Sequence, residues 1–213
     1  MAQILIFGDS IPYGAWDLEG GWVARLRRFL DSKVINSKLK DYYITYNLGV
    51  SGDTTSDLLE RFEREVNARL DKTESDTIII FSIGGNDSAF LTKEKKFLTE
   101  ISKFEKNIKE LIKKAKDITD KIILIGEIPH DESKTTPVAW DSNINYKNEY
   151  LNKYENVTRK ICKEQNIHFI DLFGKLINTN YKANLEDGVH PTSEGHRQIF
   201  NIIKEDLIKN KML

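Results

Sequence analysis

Ser10 stands where an apolar run stops. Gln3-Ile4-Leu5-Ile6-Phe7 reads as a buried strand, too short and too β-rich for a helix, and it turns abruptly into Gly8-Asp9-Ser10. Three further loops carry small residues and hydrogen-bond donors. They are Asn47-Leu48-Gly49-Val50-Ser51-Gly52-Asp53, Gly84-Gly85-Asn86-Asp87 and Asp187-Gly188-Val189-His190-Pro191. Together the four loops hold the parts of a serine acyl-transfer site: a nucleophile, a base, an orienting carboxylate and several oxyanion donors. Asp187 and His190 are three positions apart in a Gly-containing turn. That spacing lets the carboxylate reach one imidazole nitrogen and fix the tautomer, leaving the other to take the Ser10 proton. Pro191 stiffens the exit from the turn.

Taken singly, each residue has an ordinary explanation. Ser10 fits a turn or helix cap, Gly52 and Gly85 fit positions of positive φ, and Asn86 fits an Asx turn. Asp187 with His190 fits a surface turn ahead of a helix. His190 and His196 form a pair of metal-type ligands, but no second cluster of thiolates or carboxylates accompanies them. No metal and no cofactor is therefore expected. Cys162 sits in the helical stretch Arg159-Lys160-Ile161-Cys162 and reads as a small core residue rather than a nucleophile.

The elements that must position these loops alternate. Strand-like runs recur at Ile4–Phe7, Tyr42–Leu48, Thr77–Ile83, Ile122–Ile128 and Ile167–Leu172. Helical periodicity fills the intervals. Trp22, Leu26, Phe29 and Leu30 mark a first helix, and Leu58 through Leu70 a second. Phe97 through Ile118 mark a third, Asn143–Glu164 a fourth and Ser193–Lys209 a fifth. The third steps by 4, 3, 4, 3, a heptad rhythm, yet Leu98 and Ile112 widen its stripe as in a helix lying on a sheet. Its lysines interleave with glutamates, as on a solvated face. Five alternations without repeats or low-complexity linkers predict one α/β domain over residues 1–213. Its mainly parallel five-stranded sheet would carry helices on both faces. Right-handed crossovers favour the flavodoxin-like strand order 2-1-3-4-5. Strands 1, 2 and 3 are then neighbours, and the loops after them lie side by side at the carboxyl edge, where open α/β sheets form their sites.

The nucleophile segment is not the G-x-S-x-G elbow of α/β-hydrolases, because Pro12 stands two residues after Ser10. Gly8-Asp9-Ser10, Ser51-Gly52-Asp53-Thr54, Gly84-Gly85-Asn86-Asp87 and Asp187-Gly188-Val189-His190-Pro191 instead resemble, in order, the four blocks of the SGNH hydrolases, the GDSL-type lipases and esterases. The likeness spans nearly the whole chain and implies the three-layer α/β/α fold read above. It implies Ser10 as nucleophile, His190 as general base and Asp187 as its partner. The oxyanion donors would be the Ser10 and Gly52 amides and the Asn86 side chain. Ile11 stands where the family's name has Leu, one aliphatic for another. Asp9 is expected to stabilise the turn. Tyr13, Trp16 and Trp140, with Pro129, His130 and Pro137, are expected to line the acyl or alcohol pocket.

The totals bound the partners. With 32 basic and 33 acidic side chains the net charge is −1, which gives no electrostatic reason to expect nucleic acid or an anionic membrane. No apolar run approaches membrane-spanning length. A single cysteine excludes an internal disulfide and fits a reducing compartment. The first strand opens at residue 3, leaving no room for a secretory leader, so cytoplasmic residence is the expectation. The expected reaction is hydrolysis of small carboxylic esters through an acyl-enzyme. Thioester cleavage or transfer to a non-water acceptor would use the same residues. A flavodoxin-like binding module is disfavoured, because no phosphate-binding G-x-x-x-x-G-K or G-x-G-x-x-G follows a strand.

Overall fold

The computed structural model describes residues 2–71 and 76–213. In chain order the first half comprises β1 (Ala2–Gly8), α1 (Ser10–Tyr13), α2 (Gly21–Asn36), β2 (Tyr43–Gly49), α3 (Thr55–Asn67) and β3 (Asp76–Ser82). A single 3-10 turn at Asn86–Ser88 precedes β4 (Phe90–Leu91), β5 (Lys96–Phe97), α4 (Ile101–Lys116) and β6 (Ile122–Ile125). Then come α5 (Glu132–Thr135), β7 (Ile144–Asn145), α6 (Asn148–Gln165), β8 (His168–Ile170), α7 (Leu172–Leu176) and α8 (Ser193–Lys209).

The five main strands lie in the order β2-β1-β3-β6-β8 with every neighbouring pair parallel, the order and class expected. Both faces are covered, so the inner strands are apolar throughout and alternate only in which layer they feed. Ile4, Ile6, Ile78, Ile80, Ile123 and Ile125 pack with α2 and α8 through Trp22, Leu26, Leu30, Ile199 and Ile203. Leu5, Phe7, Ile79, Phe81 and Leu124 pack on the opposite side with α3, α4 and α6. There Phe62 sits 5.0 Å from Phe7 and 5.6 Å from Phe81, centroid to centroid. Cys162 is buried in the same layer, and burial pushes its thiol up to about 12, so it stays an unreactive thiol.

Register fixes where the strands stop. Gly8 lies opposite Gly49 on one side and Ser82 on the other, so three neighbouring strands end at one level. A Cβ on Gly8 would lie 2.0 Å from the Ser82 carbonyl oxygen and 2.6 Å from Pro12 Cγ. Only glycine lets the chain pass this junction.

Several boundaries differ from expectation. The third helix begins at Ile101, not Phe97. Phe97 pairs in β5 opposite Phe90, and its ring packs on Phe90, Tyr150 and Tyr154. The fourth helix begins at Asn148, because Ile144–Asn145 pair with β4 to complete a small antiparallel sheet. The second helix ends at Asn67, and the fifth main strand is confined to His168–Ile170 because Asp171 caps α7. α4 nonetheless buries Phe104, Ile108, Leu111, Ile112 and Ala115, as a core helix should. No helix among the described residues is long and apolar enough to cross a membrane.

The fourth main strand ends at Ile125 rather than Ile128. The Gly126 amide donates to the Ile170 carbonyl at 2.9 Å, and the Glu127 amide to Glu155 Oε1 at 2.6 Å. Glu155 reaches this point from α6 and is 3% exposed. Burial pushes its carboxyl up to about 7, although the Glu127 amide and Arg159 pull the other way. An unfolded glutamate ionises near ~4.3, so between that pH and about 7 the folded chain holds the extra proton and stability falls as pH rises.

Two outcomes follow for urea unfolding. Phe62→Ala, a fully buried ring, should cost roughly 3–5 kcal/mol, and Ile35→Ala, at 72% exposure, less than about 0.5 kcal/mol. Equal costs would refute the layer assignment. Glu155→Gln should gain roughly 2–3 kcal/mol on wild type between pH 5 and pH 8. A constant offset over that interval would show that Glu155 is already ionised in the fold.

Candidate active site

The strand junctions deliver the loops to one place. After Gly8, Asp9 caps the short helix α1 by accepting from the Ile11 amide at 2.9 Å. The helix closes at Gly14, whose φ of +90° is natural only to glycine. This turn holds Ser10 at its first residue, 5% exposed. Asp9 stabilises the turn, as expected of it, and burial pushes its carboxyl up to about 7.

Far along the chain, the turn of residues 187–191 folds onto Ser10. Ser10 Oγ lies 3.0 Å from His190 Nε2, and His190 Nδ1 lies 2.7 Å from Asp187 Oδ2. The other carboxylate oxygen of Asp187 accepts from the Val189 and His190 amides at 2.9 and 2.8 Å. Asp187 accepts a further bond, at 3.0 Å, from Trp16 Nε1. Partial burial favours the neutral acid, but the hydrogen bonds from the His190 ring and the two amides outweigh it. The carboxyl is therefore held well below the usual carboxylate range, as an anion. An anion there requires Nδ1 to carry a proton, which leaves Nε2 of the neutral ring free to accept one from Ser10.

Two more loops border Ser10. Gly52 has a φ of +88°, and nothing lies within 4 Å of where its Cβ would be, so its backbone is openly approachable. Asn86 Nδ2 donates to the Asp53 carbonyl at 2.9 Å, and Asn86 Oδ1 accepts from the Tyr146 hydroxyl at 2.9 Å. Because a carbonyl can only accept, these bonds fix the amide's orientation and leave one Nδ2 hydrogen unspent. Asp87 ties this loop to the start of α3, accepting from the Thr55 amide and hydroxyl at 2.9 and 2.6 Å. Asn107 in turn donates to Thr55 Oγ1 at 2.9 Å.

Of the expected pocket residues, Trp16 and Trp140 flank the His190 ring at 5.4 and 6.0 Å between centroids. Trp16 therefore does something its sequence position did not suggest: it donates to Asp187 from a left-handed backbone, φ +64°. Tyr13 projects from α1 and is exposed. The loop of residues 128–142 divides between two tasks. His130 borders a pocket beside Ser10, while Asp131 and Lys134 brace the histidine turn by hydrogen bonds to Gly188 and to the Leu185 and Glu186 carbonyls. His196 is fully buried in α8, its imidazole pushed down to about 4 by burial. Among the described residues no group of three or more His, Cys, Asp or Glu side chains is placed to hold a metal ion.

Arg61 escaped the sequence reading. Its Nε pairs with Asp53 at 2.6 Å, and Nη1 and Nη2 donate to the Leu48 and Gly8 carbonyls at 2.9 and 3.0 Å. The signal was a cation on the apolar stripe of α3, between Leu58 and Phe62.

Similarity to known proteins agrees with this architecture. The lipase/acylhydrolase from Enterococcus faecalis superposes with a TM-score of 0.74 at 22% identity, over 97% of this chain and 95% of that one. The acetyl xylan esterase AlAXEase gives 0.72 at 22% identity, over 96% and 99%. TesA gives 0.69 at 19%, over 96% and 97%. At these identities the likeness establishes the fold. No curated protein sequence matches the chain. The family model for the GDSL-like Lipase/Acylhydrolase family matches residues 6–198, nearly the whole chain, and the protein is accordingly an enzyme of that family.

Proposed function

We propose that the protein is a serine esterase that hydrolyses small carboxylic esters through an acyl-enzyme intermediate, with Ser10, His190 and Asp187 as its triad. The observation that carries this reading is the unbroken line from Asp187 Oδ2 through both His190 nitrogens to Ser10 Oγ, at 2.7 and 3.0 Å. Ser10 Oγ attacks the ester carbonyl carbon as His190 Nε2 takes its proton, and Asp187 stabilises the imidazolium. The carbonyl oxygen, now an anion, is met by the Ser10 and Gly52 amides and the unspent Asn86 hydrogen. Collapse expels the alcohol, which leaves with the proton from His190. Water, deprotonated by the same nitrogen, then attacks the acyl carbon and releases the acid and Ser10. The partner is a small-molecule ester, with no nucleic acid and no membrane insertion involved. Cytoplasmic residence belongs to the proposal on the strength of a single cysteine, Cys162, which is buried.

A fluorophosphonate probe should label the peptide containing Ser10, read by mass spectrometry, because only an activated hydroxyl reacts at useful rates. Labelling unchanged in Ser10→Ala would remove Ser10 as nucleophile, and no labelling at all would refute an activated serine. Asn86→Ala should lower kcat by roughly 10²–10³ with KM little changed, the range for losing one oxyanion donor. An unchanged kcat with a raised KM would make Asn86 a substrate-binding residue instead.

A further inference from the structure

A small pocket lies beside Ser10 and Asn86 and is lined also by Glu127 and His130, from the loop after β6, and by Tyr146, just after β7. It leaves room for little more than one water-sized group. Its walls are held from behind. The Glu127 amide is bonded to Glu155, and the His130 backbone is gripped in both directions by the Asn148 side chain, at 2.8 and 2.9 Å. The Tyr146 ring packs on His130 at 5.1 Å while its hydroxyl holds Asn86. All three side chains are at least nine-tenths buried.

Part of the lining is polar. Neither Glu127 Oε1 nor His130 Nδ1 has a hydrogen-bond partner among the described residues. Burial disfavours charge on both groups. Burial, with Asp9, Glu155 and Asp87 nearby, holds the Glu127 carboxyl well above its ordinary range against a pull from the Gly85 backbone. Burial, with His190 nearby, holds the His130 imidazole at about 4 against the Asp187 carboxylate.

Resting on the reading of Ser10 as nucleophile, we infer that this pocket receives the acyl group and that Glu127, His130 and Tyr146 limit it to two carbons, making the enzyme an acetyl esterase. A methyl group is about the size of the space available. A longer chain meets two obstacles. It must displace Tyr146, and with it the orientation of Asn86, so the penalty falls on kcat as well as on binding. It must also press methylenes against Glu127 Oε1 and His130 Nδ1, leaving both without water or partner.

The test measures kcat and KM of the full chain on p-nitrophenyl acetate, butyrate, hexanoate and octanoate. In wild type, kcat/KM should fall by roughly 10² or more from acetate to hexanoate, with kcat itself declining, since one methylene is worth about 10–200-fold in a discriminating pocket. His130→Ala removes part of the wall and one unpartnered nitrogen, and should raise the hexanoate-to-acetate ratio at least about tenfold. Tyr146→Phe keeps the ring but frees Asn86, so it should slow all four esters alike and leave the ratio near wild type. A flat wild-type profile, a preference for longer chains, or a ratio unmoved in folded His130→Ala would overturn the inference. If that variant does not fold, the wild-type profile decides alone. Absence of turnover on every ester together with absence of Ser10 labelling would overturn the esterase reading itself. Turnover with a flat profile would overturn only the acyl limit.

Discussion

The carboxyl end of a parallel sheet is a place of unpaired carbonyls, and in this molecule one guanidinium resolves it. Arg61 rises from α3 between the ends of β1 and β2, donating to Gly8 and Leu48 while its Nε is neutralised by Asp53. Its planar fork reaches three acceptors at fixed angles, which an ammonium could not do from the same position. A desolvated ion pair contributes little net stability once its hydration cost is counted. Its effect is geometric. Gly8 leads into the serine turn, Leu48 into the loop of Gly52, and the Asp53 carbonyl receives the Asn86 amide. Three loops from three strands thereby share one anchor, and Asp87 on Thr55 supplies a second tie between two of them.

The electrostatics of the site follow from how each acid is buried. Asp9, Glu127 and Glu155 lie in the interior with few donors, and burial raises their carboxyls above the ordinary carboxylate range. Asp187, at the rim, accepts from two amides, an imidazole and an indole, and stays ionised. Asp187 differs from those three acids in having four donors and a shallower position. Like residues therefore serve unlike purposes, and the difference is made by donor count and depth rather than by residue type.

The main sheet was legible because its strands are dense apolar runs separated by amphipathic helices, a contrast that survives any local context. The serine, glycine and asparagine segments were legible because each follows a strand and breaks its pattern, and the histidine segment because Asp187 and His190 share one Gly-containing turn ahead of α8. What lay hidden is of another kind. β4, β5 and β7 have two residues apiece, too few to display a period, so Phe97 and Ile144 were absorbed into neighbouring helices. Tyr146 and Trp16 act through single hydrogen bonds to residues 60 and 171 positions away, which no local pattern encodes. Glu127 lay unremarked inside the strand-like run Ile122–Ile128, because its environment is made by α6 and by the glycines at residues 84 and 85.

The bond between His190 and Ser10 spans 180 positions. A chain made from its amino end exposes the serine early and its base late. On the proposed mechanism, Ser10 without that base is an ordinary alcohol. On the same mechanism, its activation waits until the turn of residues 187–191 docks against the sheet. On that reading the long separation ties an activated hydroxyl to completion of the fold that surrounds it.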